Sequence, residues 1–210
     1  MVTVEKNSLT QNPEESIYIL LTDTGTLFTR MIKAFTGAPY NHASIALDER
    51  LEQLYSFGRK RPNNPLAAGF VREYVEDGVY RKFPNTSCAL LRLRVTKRQR
   101  ERVIGFIRDV ERNKENYRYN LLGVLSVLLN IDYRPEQAYF CSQFVAEAIN
   151  GGGVSLWNRP SARVTPNDFR VHPSIETIYE GPLYAYPPLN INFRRTLAAS
   201  PIVALARKRA

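Results

Sequence analysis

The chain of 210 residues is long enough for one domain with a buried core and too short for two large domains. Its 44% hydrophobic and 23% charged residues exclude a disordered or fibrous protein. A formal net charge of +9 predicts attraction to anions, such as nucleic acid, phospholipid headgroups or acidic polymers, without choosing among them. The two cysteines, Cys88 and Cys141, do not make a disulfide framework.

The chain is expected to form a single domain over residues 1–197, with its core at about 17–170, followed by a basic tail at 198–210. Residues 1–16 contain no apolar stretch of the signal-peptide type, so a cytoplasmic location is expected. The most apolar run, residues 121–131, is shorter than the roughly 20 residues of a membrane span. It predicts a buried helix, or an interfacial one at 121–129.

The N-terminal half has the patterns of short strands and one helix. In chain order we expect a strand at 17–21, a helix at 27–35, a strand at 41–47, its hairpin partner at 51–57, and a long loop at 58–78 with one short extended piece, GFVREYV. Loops of that length usually carry function or lack order, and this one is expected to border the substrate cleft.

The C-terminal half begins with a half-buried strand at 87–95, where leucine and valine alternate with arginine. Thr96 is a candidate helix cap, and apolar residues at helical spacing predict a helix to about residue 113. Another helix is predicted to open at Cys141 and to end at the glycines 151–153. The proline-rich chain from Pro160 onward is expected to be mostly irregular.

Cys141 lies in the first turn of its predicted helix. The free backbone N–H groups and the positive end of the helix dipole lower a thiol's pKa there, and they can also hold an oxyanion. Position alone favours a buried structural cysteine over a reactive one. His42, on a strand face shared with the small residues Ser44 and Ala46, is a candidate general base for the thiol. His172, in a proline-rich segment, is expected to be a structural or surface residue.

The stretches YNHASIALDERLEQLYSFGRK, YFCSQFVAEAI and VTPNDF resemble the circularly permuted papain-like cysteine hydrolases, in the YiiX/YebB-like branch of the NlpC superfamily. The resemblance covers about residues 17–170. It implies an α+β permuted papain-like (NlpC-type) fold, with a small antiparallel sheet or partial barrel packed against helices. It also implies that Cys141 attacks a carbonyl to form a thioester, and that His42 acts as base and then acid. No cofactor is implied.

In that branch a third polar residue orients the histidine, often a glutamate on the following strand. Here LEQLYSF offers no clear acid at that place, and the candidates are Ser56, then Tyr55, then Glu52. Tyr40 and Ser142 are candidates for contact with substrate or oxyanion, and Tyr40 fits a packing role as well. TPND is expected to be a turn that braces the fold.

The substrate of such a thiol hydrolase or acyltransferase is an amide or ester in a peptide, peptidoglycan or lipid. A rival interpretation is a basic module with a non-catalytic site that binds nucleic acid through RKR at 59–61 and 207–209, although no nucleic-acid motif accompanies these clusters. A membrane-surface protein that inserts residues 121–129 is another. A metal site made of Cys88, Cys141, His42 and His172 lacks the paired ligand spacing of zinc sites.

Overall fold

The computed structural model describes residues 14–25, 37–61, 64–119 and 138–189. Its strands and helices, in chain order, are β1 Glu14–Asp23, β2 His42–Ala46, β3 Leu54–Arg61, β4 Asn64–Glu73, α1 Gly78–Lys82, β5 Ser87–Thr96, α2 Lys97–Arg112, β6 Arg118–Tyr119, β7 Ala138–Tyr139, α3 Cys141–Gly151, α4 Pro166–Val171 and β8 Ile175–Pro182. Short 3₁₀ turns lie at Lys114–Asn116, Ser161–Arg163 and Leu183–Ala185.

A six-stranded open sheet organises the fold, in the order β4-β3-β2-β1-β5-β8. Every neighbouring pair in it is antiparallel. The short strands β6 and β7 form a separate parallel pair. The predicted α+β class with an antiparallel sheet against helices is therefore confirmed.

The sheet buries apolar side chains on both faces, because successive strand residues point to opposite sides. On one face, Ile17, Ile19 and Leu21 belong to the cluster that packs against α2 and α3. On the other face, Leu20 and Leu90 belong to a second cluster that includes residues of α1 and of the 3₁₀ turn near the C-terminal end of the described chain.

Several predicted elements are confirmed, including the strands at 17–21, 41–47 and 87–95. The helix after Thr96 is also confirmed. Thr96 and Gln99 form a capping box, whose side chains accept hydrogen bonds from backbone N–H groups at the start of this helix. Three predicted segments lie outside the described residues. They are the helix at 27–35, the buried or interfacial helix at 121–129 and the basic tail at 198–210.

The prediction of a long loop at 58–78 is wrong, although its short extended piece, GFVREYV, is confirmed as far as Glu73. Strand β3 continues through Arg61, β4 pairs with it as far as Glu73, and α1 follows. Glycine and asparagine disfavour strands locally, but this ladder pairs Gly58 with Gly69 and buries Phe57 against Phe70 on the adjacent strand. Tertiary pairing and burial thus override the loop-like composition.

The expectation of a mostly irregular chain after Pro160 is also wrong for residues 160–189, the part of that segment that the structure describes. Residues 166–171 form α4, and β8 pairs with β5 over Ile175–Pro182. In β8 the proline comes last, at the edge of the sheet, where a strand tolerates the missing N–H donor.

Among the helices in the described part of the chain, none has both the length and the apolar character that a membrane crossing requires.

Candidate active site

Cys141 is the first residue of α3, as predicted. The preceding N-cap residue is Phe140, which has no side-chain acceptor for the N–H groups of the first turn. Cys141 as a residue is 7% exposed and counts as buried. Nucleophile and free backbone donors therefore lie at one helix end.

His42 begins β2 at a place where the sheet opens. Thr22 of β1 pairs with His42, whereas the ladder between β2 and β3 covers only Ile45 and Ala46. The backbone N–H of Ala43 consequently has no ladder partner on β3, and it hydrogen-bonds the Cys141 sulfur instead. Helix α3 packs on both strands, which brings the thiol to this opening.

The His42 imidazole lies between the Cys141 thiol and the Glu73 carboxylate. Its Nε2 is 2.9 Å from Glu73 Oε1, and the ring also hydrogen-bonds Cys141. Because an ionised carboxylate only accepts hydrogen bonds, Nε2 must carry a proton. The neutral ring therefore presents its unprotonated Nδ1 as the base for the thiol.

The charges of His42 and Glu73 shift each other's pKa. Burial alone would lower the pKa of His42, but the Glu73 charge and the hydrogen bond with Cys141 outweigh it and raise that pKa to about 10. Burial alone would raise the pKa of Glu73, yet the His42 charge and hydrogen bonds from His42, Ser44 and Ser56 lower it to about 2. These values favour an imidazolium beside an ionised carboxylate.

The pKa of the Cys141 thiol is also shifted by its neighbours. Burial would raise the pKa of Cys141, but the hydrogen bond and charge of His42, together with the backbone groups of Ala43 and Ser142, lower it. The site therefore favours a thiolate–imidazolium pair, the reactive form of a cysteine nucleophile.

The acid expected to be missing from this site is present as Glu73, the last residue of β4. The β3–β4 register pairs Leu54 with Glu73 and so places the carboxylate on the face that Ser56 shares. Sequence reasoning missed Glu73 because it placed this residue in a short extended piece of a loop and paired that piece with no strand. The alternation in GFVREYV was the available signal, since a hairpin with LEQLYSF turns Glu73 toward the histidine face.

The three sequence candidates for the contact with His42 have other positions. Ser56 is buried and donates to Glu73 Oε1 at 2.7 Å, so it acts on the carboxylate and not on the imidazole. Tyr55 lies on the opposite face, with its ring stacked on a phenylalanine of β4. Glu52 is exposed in the turn before β3. None of these residues replaces Glu73.

The structure does not bring the Tyr40 phenol to the thiol. Its hydroxyl donates to the Cys88 carbonyl at 3.2 Å and to Glu180 at 2.9 Å. Cys88 lies two strands from His42, which is about 10 Å at ordinary strand spacing. The expected contact with substrate or oxyanion is therefore corrected to a packing role.

The Ser142 side chain is likewise engaged elsewhere. Its hydroxyl donates to the Val164 carbonyl at 2.7 Å in the protein interior. Its backbone, by contrast, hydrogen-bonds the Cys141 sulfur. Any contribution of this residue to oxyanion binding therefore comes from its backbone N–H.

Gly58 is a further residue of the site that sequence reasoning missed. An added Cβ there would lie 3.3 Å from His42 Cε1, 3.3 Å from Ser56 Oγ and 3.7 Å from Glu73 Oε1. The two 3.3 Å distances are tighter than ordinary Cβ contacts, so a side chain at Gly58 would require the imidazole or the Ser56 hydroxyl to shift by a few tenths of an ångström. Gly58 thus leaves room for both groups.

The remaining candidates have structural surroundings. His172 contacts the Leu156 carbonyl at 2.9 Å through Nε2 and accepts the Ser174 N–H at Nδ1, which fits its expected structural role. TPND is not a free turn, because Thr165 caps α4 and Asp168 completes the capping box. Asp168 also pairs with Arg159 at 2.6 Å.

The second thiol differs sharply from the first. Cys88 is 1% exposed, and burial together with the charge of Glu180 raises its pKa to about 12. Within the described ranges, no three His, Cys, Asp or Glu side chains gather as metal ligands.

Comparison with known proteins does not assign a family. No family model matches the chain. No curated protein matches it either.

Proposed function

We propose that this protein is a thiol hydrolase of the permuted papain-like type, which cleaves an amide or ester through a thioester on Cys141. The observation that carries the proposal is the His42 imidazole held between the Cys141 thiol and the Glu73 carboxylate. A buried structural cysteine needs neither a histidine base nor a carboxylate that orients this histidine.

In the first half of the reaction, the Cys141 thiolate attacks the substrate carbonyl carbon and a C–S bond forms. The negative charge that moves to the carbonyl oxygen is stabilised by backbone N–H groups at the start of α3, including that of Cys141. The His42 imidazolium then donates its Nδ1 proton to the leaving nitrogen or oxygen as the C–N or C–O bond breaks. The acyl group remains on sulfur as a thioester.

In the second half, neutral His42 removes a proton from water at Nδ1 while the water oxygen attacks the thioester carbonyl. The C–S bond breaks, the acid product leaves, and the thiolate–imidazolium pair returns. Glu73 keeps Nε2 protonated throughout and stabilises the imidazolium in both halves. An alcohol or amine in place of water makes the same site an acyltransferase.

The chain order of the site supports the proposed family. The histidine strand β2 precedes the cysteine helix α3, which is the order of the permuted branch. In that branch a glutamate often orients the histidine, and Glu73 fills this role here. The substrate classes proposed are peptide, peptidoglycan and lipid acyl groups.

Hydrolysis of p-nitrophenyl acetate and p-nitrophenyl decanoate tests the proposal, with the released phenolate as readout. Cys141→Ala is expected to abolish turnover, and His42→Ala to reduce it by about 100-fold or more. Cys88→Ala is the matched control, because its thiol lies outside the site, and it should retain turnover. Equal turnover by the wild type and Cys141→Ala would exclude catalysis by this thiol and favour a basic binding module with an inert site.

A further inference from the structure

The Glu73 carboxylate is enclosed by three hydroxyl donors in addition to His42. Oε1 accepts from Ser56 at 2.7 Å and from His42 Nε2 at 2.9 Å. Oε2 accepts from Ser44 at 2.6 Å and from Tyr80 at 2.9 Å. A carboxylate has about four lone-pair sites, so the four donors use its full accepting capacity.

The donors come from three separate elements. Ser44 lies on β2 and Ser56 on β3, both beside the carboxylate in the sheet. Tyr80 lies on α1, which Asp77 caps just after β4 ends. Tyr80 thus approaches Glu73 from the layer that covers the sheet.

Tyr80 differs from the two serines in rigidity. Its side chain is 3% exposed within the second apolar cluster, so the ring is held by packing on all sides. A serine hydroxyl can rotate to another acceptor, whereas the phenol of a packed ring stays where the ring places it. Burial and the Glu73 charge raise the pKa of Tyr80 well above its ordinary value, so the phenol keeps its proton and donates it.

We propose that Tyr80 is a positioning residue that holds the Glu73 carboxylate on His42 and thereby maintains the reactive thiolate of Cys141. This inference rests on the proposed function, because it gives a role to a side chain that does not itself touch the thiol. Without the phenol, Oε2 keeps only the Ser44 donor, and the half-buried carboxylate can rotate away from the imidazole. A charge-assisted hydrogen bond of this kind is strong enough to matter for the pair.

A double-mutant cycle on thiol reactivity tests the proposal without knowledge of the substrate. The rate constant for alkylation of Cys141 by iodoacetamide is measured at about pH 6, with each cysteine quantified separately by peptide mass spectrometry. Tyr80→Phe keeps the ring and is expected to lower the rate about tenfold. In the Glu73→Gln background the same substitution should change the rate by less than about twofold, because its effect passes through Glu73.

Tyr186→Phe is the matched control. Tyr186 belongs to the same apolar cluster and is also buried, but its hydroxyl bonds Glu49 instead of Glu73. It should leave the rate within about twofold of wild type. Continued protection of the buried Cys88 from alkylation shows that each variant remains folded.

Two results separate this inference from the proposed function. An unchanged rate in Tyr80→Phe, or an equal loss in both backgrounds, overturns the positioning role while a fast, His42-dependent Cys141 still supports the hydrolase. A wild-type Cys141 that reacts no faster than an ordinary thiol, and equally fast in His42→Ala, contradicts the proposed function itself.

Discussion

Replacement of Glu73 by glutamine removes the charge behind His42 and keeps the shape of the side chain. The carboxylate is the principal group that raises the pKa of His42 from 6.5 to about 10 against the opposing effect of burial. Without it, the opposing effect of burial weighs more heavily, and the pKa of His42 falls toward its ordinary value or below. The thiol then loses much of the imidazolium charge that lowers its own pKa.

The size of the effect follows from the thiolate fraction. An unassisted cysteine has a pKa of about 8.5, so at about pH 6 only about one thiol in 300 is ionised. The imidazolium lowers the pKa of Cys141, so a much larger fraction of this thiol is ionised at that pH. Alkylation of Cys141 by iodoacetamide in Glu73→Gln should therefore be about 100-fold slower at about pH 6, and close to wild type at about pH 9.

Glu76→Gln is the control for this experiment, because Glu76 is exposed three residues after Glu73. It should leave the pH profile unchanged. A Glu73→Gln rate at about pH 6 within twofold of wild type would refute the claim that this carboxylate maintains the thiolate.

Three further outcomes are expected. Gly58→Ala should slow alkylation of Cys141 about tenfold by displacing the imidazole. Gly105→Ala is the control and should not slow it, because an added Cβ there meets nothing within 4 Å. Equal alkylation rates in the two variants would contradict the crowding at Gly58. Because the pKa of Glu73 falls from 4.5 to about 2 on folding, its contribution to stability is complete above about pH 4.5 and is lost as the pH falls toward 2. Denaturant titrations between these pH values give the free energy of unfolding as a function of pH. Its slope should be smaller in Glu73→Gln than in the wild type, by about 1.4 kcal/mol per pH unit. Identical slopes in the two proteins would count against an ionised Glu73. Tyr40→Phe should cost about 1 kcal/mol of stability in the same assay and leave ester hydrolysis within about twofold, so a large loss of turnover would restore Tyr40 to the site.

Local patterns in the sequence singled out the two central residues of the proposed site, His42 and Cys141. A strand with small residues at every second position predicted the face of His42, and a helix start with terminal glycines predicted the surroundings of Cys141. Both signals lie within a few residues of the side chain concerned. The resemblance to a known family then paired the two, and the structure places them in hydrogen-bond contact.

Glu73 and Tyr80 could not be predicted in the same way, because their positions depend on long-range pairing. The carboxylate reaches His42 only through the β3–β4 register, and a shift of one residue would turn it to the opposite face of the sheet. Helix α1 has only five residues, too few for a periodic signal. The contacts of Tyr40 could not be predicted for the same reason. Its partner Glu180 belongs to β8, and the proline content of that segment predicted irregular structure instead of a strand.

The most direct test of the central claim is to look for the thioester itself. Wild-type protein is mixed with p-nitrophenyl acetate, quenched in acid within the first turnover, and digested for mass spectrometry. We predict one acetyl group on the peptide that contains Cys141, removed by neutral hydroxylamine as a thioester is, and absent from the peptide that contains Cys88. Turnover of the ester with no hydroxylamine-sensitive acetyl group on Cys141 would contradict the proposed mechanism.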